Sequence, residues 1–301
     1  MTIITAVIAI FLAIVAPIAY LRSNENANAT LDETVTNAGG EVTGKDDTLL
    51  PSCGEADGAD DAADAGNGDH DNENAETDEN NDSSASADDD KDVLVLSLVD
   101  GLNVRTGRGT SYASLGTLDK GDMVAYVSYA NGWYETVYKE RTAYISANES
   151  YTSLYYMDKG SERAESVIEV GKTLLGYPYV WGSQRYHRGN GVLNTNFVAG
   201  EFDCSALTQY AYYKGAGVLL DVTTRTQVKQ GTPVGFDDLE RGDLMFFTNS
   251  SRYNLTGTER VGHVAIYLGD NYILHTASDH AVIEPISPSR RAYFIEGRRV
   301  L

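Results

Sequence analysis

At 301 residues the chain is long enough for two ordinary domains, and its net charge of −21 is unevenly spread. Residues 24–92 hold 22 Asp and Glu against Lys45 and Lys91, a net −20, so nearly all the acidity lies in one tract. Such a tract repels other polyanions, which excludes nucleic-acid binding through it.

In chain order, the first element is apolar. Ile3 to Tyr20 carry no charged side chain, and Arg22 closes the run. Its length lies at the lower edge of what spans a bilayer and exceeds most signal-peptide cores. Ala27-Asn28-Ala29 offers a small-x-small cleavage site. Residues 1–23 are read as a signal peptide or a membrane anchor, and the residues leave the choice open. Residues 24–92 are rich in Asp, Asn, Glu, Ala, Gly and Ser and nearly free of large apolar groups. They cannot bury enough surface to offset chain entropy, so a disordered acidic linker is predicted, dispensable for chemistry. The linker takes Cys53 and His70 with it.

From Val93 to Tyr151 the pattern becomes one of short strands. Val93 and Val95, then Leu102 and Val104, alternate in the strand manner. Met123–Val127, Trp133–Val137 and Thr142–Ile145 read as further strands, and Asn131-Gly132 is a strong hairpin turn. Five short strands in so short a segment predict a small all-β barrel. The pieces Leu102-Asn103-Val104-Arg105-Thr106-Gly107, Gly109-Thr110-Ser111-Tyr112, Asn131-Gly132-Trp133-Tyr134 and Ala143-Tyr144-Ile145 resemble the bacterial SH3-like domain of exported wall proteins. The resemblance implies wall binding or the positioning of a partner domain by residues 93–151.

Residues 161–301 read as a second, α+β domain. Ser161 can cap a helix whose Ala164, Val167, Ile168, Leu174 and Leu175 share a face, ending at Gly176. A second helix is predicted to start near Asp203-Cys204 and stop at Gly215. Strands follow at Leu244–Thr248, His263–Leu268, Tyr272–Thr276, Ala281–Ile286 and Ala292–Arg298.

A cysteine nucleophile needs a thiolate near neutral pH, and a helix N-terminus lowers a thiol pKa. Cys204 occupies such a place, and histidine is the side chain suited to act as its base. His263 opens one strand and His275 ends the next. A three-residue loop between them would pair 263 with 275 directly, with the rings as cross-strand neighbours. One ring could then act on Cys204 while the other sets its tautomer. His187 reads as a loop histidine and His280 as a solvated turn residue.

The words Gly176-Tyr177-Pro178-Tyr179-Val180-Trp181-Gly182, Phe202-Asp203-Cys204-Ser205-Ala206-Leu207, Arg241-Gly242-Asp243-Leu244-Met245-Phe246-Phe247, Gly262-His263-Val264-Ala265-Ile266-Tyr267-Leu268-Gly269 and Ile273-Leu274-His275-Thr276-Ala277 occur in this order. Together they resemble the NlpC-type family of papain-like cell-wall peptidases. That resemblance implies Cys204 as nucleophile, His263 as base and His275 as the orienting third residue. It also implies Tyr179, Asp203, Ser205 and Arg225 as substrate-binding positions. Two departures stand out: about 20 residues intervene between Gly182 and Asp203 where the family has a short link, and Ala206 replaces the usual Gly.

The resemblance implies an endopeptidase cutting peptidoglycan stem peptides, family-typically between γ-D-Glu and the diamino acid. An amidase or acyltransferase on the same fold and a non-catalytic wall-binding module are the alternatives. No cofactor or metal is expected, nor nucleic acid, and the chain is expected to act as a monomer. The expected location is the cell envelope or exterior of a bacterium, with membrane contact only through residues 1–23. The barrel and the inserted loop are expected to shape substrate choice rather than catalysis.

Overall fold

The computed structural model describes residues 90–189, 191–277 and 279–301. The apolar segment, the acidic linker to residue 89, Cys53 and His70 lie outside the described residues. The first half enters as β1 (Lys91–Ser97), β2 (Leu102–Arg105), β3 (Ser114–Leu118), β4 (Met123–Ala125), β5 (Ser128–Ala130), β6 (Trp133–Tyr138), β7 (Arg141–Ser146) and β8 (Thr152–Asp158). The second half adds α1 (Glu162–Thr173), α2 (Cys204–Ala216), α3 (Thr224–Gln227), β9 (Thr232–Val234), β10 (Leu244–Phe247), β11 (His263–Gly269), β12 (Tyr272–Thr276), β13 (Ala281–Pro285), α4 (Pro288–Ala292) and β14 (Phe294–Arg299). The fold is α+β, as predicted.

Among the described residues, five antiparallel strands in the order β3-β2-β7-β6-β5 form the SH3-like sheet. Val104, Leu118, Tyr138, Ala143 and Ile145 are its buried apolar side chains. Asn131 and Gly132, at φ 52° and 76°, make the left-handed pair that a tight hairpin needs. The β6–β7 hairpin instead turns on Lys139 and Glu140, both at φ 54°. Neither residue type announces a left-handed turn. Their amides donate to Leu175 O (2.9 Å) and Thr173 O (2.8 Å). These carbonyls lie at the end of α1, where helix geometry leaves them without partners. Docking against the second half therefore holds this turn.

The remaining strands do not stay on their own side. A nine-stranded sheet runs β8-β1-β4-β13-β12-β11-β10-β14-β9, so three strands from the first half extend the sheet of the second. The seam is β4 on β13, with Met123 opposite Ile283. Residues 152–158, which carried no element in the sequence reading, pair with β1 along its whole length. Lys91 and Asp92 correct the predicted linker: both belong to β1. Asp92 is buried, with its carboxylate on Lys172 Nζ (2.8 Å) and on Arg241, which also binds Glu165 at 2.7 Å. Composition hides this because the compensating cations lie far along the chain.

Ser161 caps α1 by accepting from Ala164 N at 3.2 Å. The predicted stop of α2 at Gly215 is also corrected. Gly217, at φ 67°, ends the helix with its N–H on Tyr213 O. Gly215 is a packing residue, since a Cβ there would lie 2.5 Å from Ser166 O of α1. The last predicted strand begins late, because Ser287 and Pro288 start α4 and Ala292 belongs to it.

Candidate active site

Cys204 is the first residue of α2 and is buried. Its placement follows from Asp203, whose Oδ1 accepts from Ala206 N at 2.8 Å and so caps the helix. Phe202, fully buried, hydrogen-bonds backbone to backbone with Pro178 and Val180. This bridge sets half-buried Tyr179 beside the segment entering the nucleophile helix.

The histidines stand on adjacent strands in a register different from the predicted one. Gly269, Asp270 and Asn271 all have positive φ, and the pairing shifts just before them, between Tyr267 and Gly269. The turn is thus tighter, with Ile266 opposite Leu274 and Tyr267 opposite Ile273. Continued along the strands, this register sets Ala265, not His263, opposite His275. The slip is two residues, so both rings keep the same face and meet diagonally. His263 Nε2 and His275 Nδ1 are 2.9 Å apart, with the rings at 82°. The same diagonal step recurs on the next strand. Val282 is opposite His275, and Glu284, two residues on, places Oε1 2.9 Å from His275 Nε2. Arg290 Nη2 from α4 lies 2.9 Å from the same oxygen. No short motif announces Glu284 or Arg290; only strand order brings them here.

The NlpC/P60 family profile matches residues 176–297, and the bacterial SH3 domain profile matches residues 100–152. Residues 176–297 are an NlpC/P60 domain. The chain is 29% identical over 154 residues to a gamma-D-glutamyl-L-lysine dipeptidyl-peptidase of Bacillus cereus, covering 51% of this chain and 40% of that protein. It is 32% identical over 138 residues to the peptidoglycan DL-endopeptidase CwlO of Bacillus licheniformis, covering 45% and 27%. A solved NlpC/P60 family protein from Bacillus cereus shares 23% identity over 71% of this chain and 65% of its own, with a TM-score of 0.38. The chain spans about half or less of the length of the first curated relatives it matches.

The electrostatics of the NlpC/P60 site differ from the expectation of a ready thiolate. Burial pushes the Cys204 thiol up to about 12, and the Asp203 charge adds to this. The Val264 and Ser205 amides, which hydrogen-bond the sulfur, and the Arg185 charge pull the other way without prevailing. The helix N-terminus is outweighed because so little water reaches the sulfur. Burial also holds His263 well below the usual histidine value, helped by His275 and Arg290. His275 is lowered by burial and Arg290 against the opposing pull of Glu284. For Glu284, burial alone would raise the pKa, but His275 and Arg290 overcome it and hold the carboxylate at about 2.

The other predicted positions are engaged within the protein. Asp203 Oδ2 accepts from Gly182 N (3.1 Å) and Arg185 Nη2 (2.8 Å), while Oδ1 also accepts from Ser205 Oγ (3.0 Å). Asp203 and Ser205 are both buried, so their polar atoms serve the nucleophile's own scaffold. Arg225 lies 3.6 Å from Glu259 in an exposed pair. It is Gln227 of α3, which the sequence reading missed, that binds the nucleophile helix, donating to Ser205 O at 3.0 Å.

The insertion after Gly182 is anchored rather than free. Arg185 Nε donates to Val222 O at 2.7 Å, and its Nη2 lies on Asp203. Tyr186 and Phe197 pack edge-on and stacked against Tyr210 of α2. His187 is fully buried beside Tyr213, with Nδ1 accepting from Gly189 N. His280 is bridged to Pro178 and sits beside Asp279, so it is only partly solvated.

Proposed function

We propose that the chain is a peptidoglycan hydrolase that cleaves stem peptides, acting as a cysteine endopeptidase through Cys204, His263 and His275. The observation that carries this reading is the 2.9 Å contact between His263 and His275 on strands packed against α2, where Val264 N–H meets the Cys204 sulfur. A neutral imidazole and a neutral thiol are the resting forms, so the proton moves as the reaction begins. His263 takes the thiol proton while the sulfur attacks the scissile carbonyl. Backbone N–H groups beside Cys204 receive the developing oxyanion. Collapse breaks the C–N bond, His263 returns the proton to the leaving amine, and a thioester remains. Water, deprotonated by His263, then releases the acid and restores the thiol.

The bond between γ-D-Glu and a diamino acid is the proposed target, by analogy with the names of the relatives. Tyr179 is the proposed substrate contact beside Cys204, with Arg225 a further exposed candidate, while Asp203 and Ser205 hold the nucleophile helix in place. Cell-envelope or extracellular action is proposed, with the bacterial SH3 domain holding the enzyme on the wall. Mass spectrometry of products from defined muropeptides tests the reading. Cleavage at that bond supports it. A product carrying a new amide bond instead identifies an acyltransferase, and cleavage that survives Cys204→Ala sinks the mechanism.

A further inference from the structure

The reaction requires one particular nitrogen of His263 to carry a lone pair. His263 Nε2 is occupied by His275, so Nδ1 must be the base, and it can be the base only when the ring proton sits on Nε2. A pair of neutral imidazoles does not determine this. The His263–His275 hydrogen bond can run in either direction, and the reverse direction leaves His263 with its proton on Nδ1 and no base toward the thiol.

We infer that Glu284, locked by Arg290, sets the direction of this hydrogen-bond chain and is a positioning residue for the general base. An ionised carboxylate has no proton to give and can only accept. With Oε1 2.9 Å from His275 Nε2, it requires His275 to donate from Nε2. The neutral ring then presents a lone pair at Nδ1, 2.9 Å from His263 Nε2. His263 must donate there, which leaves its Nδ1 unprotonated for Cys204. One fixed charge at the end of the chain thus selects the tautomer two rings away. Arg290 secures the carboxylate: its Nη2 binds the same oxygen at 2.9 Å, and His275 together with Arg290 overcomes the burial that would raise Glu284 and holds it at about 2. The counter-charge matters too. A bare carboxylate would favour imidazolium, whereas burial, with the Arg290 cation adding to it, keeps both rings neutral.

The groups facing this chain are few. His275 and Arg290 act on His263, and Arg290, Glu284 and the Thr276 backbone act on His275. Asp122, from the loop before β4, feels the Glu284 charge. Asp203 and Arg185 act on the thiol. Glu284 also lies beside Ile283, the residue of β13 that pairs with Met123 of β4, so the SH3-like half buttresses the strand that carries it.

This inference rests on His263 being the base, and its test is chosen to fail separately from that reading. Nitrogen-15 spectra of histidine side chains in the full, unmutated chain report the tautomer without any turnover. Both His263 and His275 are expected as neutral Nε2–H tautomers at pH 7. A resting Nδ1–H form of either ring overturns the inference, whatever the enzyme cleaves. Glu284→Leu is expected to mix the tautomers and lower kcat on the order of 10- to 100-fold with little change in KM, a part of what a positioned base contributes. Glu284→Gln, which keeps an accepting oxygen but not the charge, should recover part of that loss. Arg290→Met should leave the tautomers in place and move the acidic limb of the kcat profile to higher pH. Unchanged tautomers and kcat in Glu284→Leu would also overturn the inference, and the unmutated spectrum decides it if that variant does not fold. Activity surviving Cys204→Ala would instead break the functional reading and leave the tautomer result standing.

Discussion

Two of the buried polar networks among the described residues are built on opposite principles. At the seam, Asp92 and Glu165 meet Lys172 and Arg241 as full charges, each held by an opposite one. Along the histidine chain, His263 and His275 are neutral rings in series, and full charge stands at its far end, on Glu284 and Arg290. A set of ion pairs ties each charge to an opposite one, so it serves structure. A chain that ends in an open lone pair can accept one proton and return it, so it serves chemistry. Burial, which would penalise either network alone, is tolerated at the seam by compensation and in the site by neutrality.

The largest expected effect breaks the chemical network at its start. Cys204→Ala should abolish muropeptide cleavage while leaving the urea midpoint near that of the parent, because the thiol adds little packing volume. His263→Ala should lower kcat on the order of 10²- to 10⁴-fold, and His275→Ala less, since it acts through another ring. Rates with a soluble muropeptide check the order of the three.

Next comes the seam. Asp92→Ala leaves Lys172 and Arg241 buried with less compensation. A loss of about 3–5 kcal/mol is expected, as for breaking one side of a buried pair. Denaturant melts measure it, and kcat per folded molecule should not change. A chain cut to 161–301 should fare worse still, because it bares the edge of β13 and removes Asp92 entirely. That outcome would make the barrel structural support for the second domain as well as a device for substrate choice. If 161–301 melts cooperatively at the parent midpoint, the seam is dispensable and the comparison fails.

Smaller shifts are expected in pH dependence. Because His263 is held well below the usual histidine value, the base stays unprotonated below pH 6.5, and kcat should fall only on further acidification. Cys204, raised to about 12, should alkylate slowly at pH 7 compared with a free cysteine. Fast alkylation at neutral pH would mean the thiolate is already formed. Glu284 contributes stability above the ordinary glutamate range, and that contribution should fade as pH falls toward about 2, visible as an acid-side decline in the melting midpoint.

Much of the site was legible because its signals are local. A cap before a helix needs only Asp203 and the next turn, and it places Cys204. Strand parity needs only alternation, so His263 and His275 share a face even though their register differs by two residues from the predicted one. The Asn131-Gly132 turn was equally readable, since the backbone demand falls on the residues themselves.

The sequence by itself determined the fold class, the helix that carries the thiol and the two strands that carry the rings, because caps and periodicity act within a few residues. The tertiary structure alone decided the rest. Asp92 looks like the end of an acidic tract until Lys172 and Arg241 arrive from the other half. The Lys139-Glu140 turn is unremarkable until the carbonyls ending α1 meet it. Glu284 and Arg290 become part of the site only through the strand order β13-β12-β11. The protonation of Cys204 reversed for the same reason. A helix end favours thiolate over short range, but how much water reaches the sulfur depends on everything folded around it.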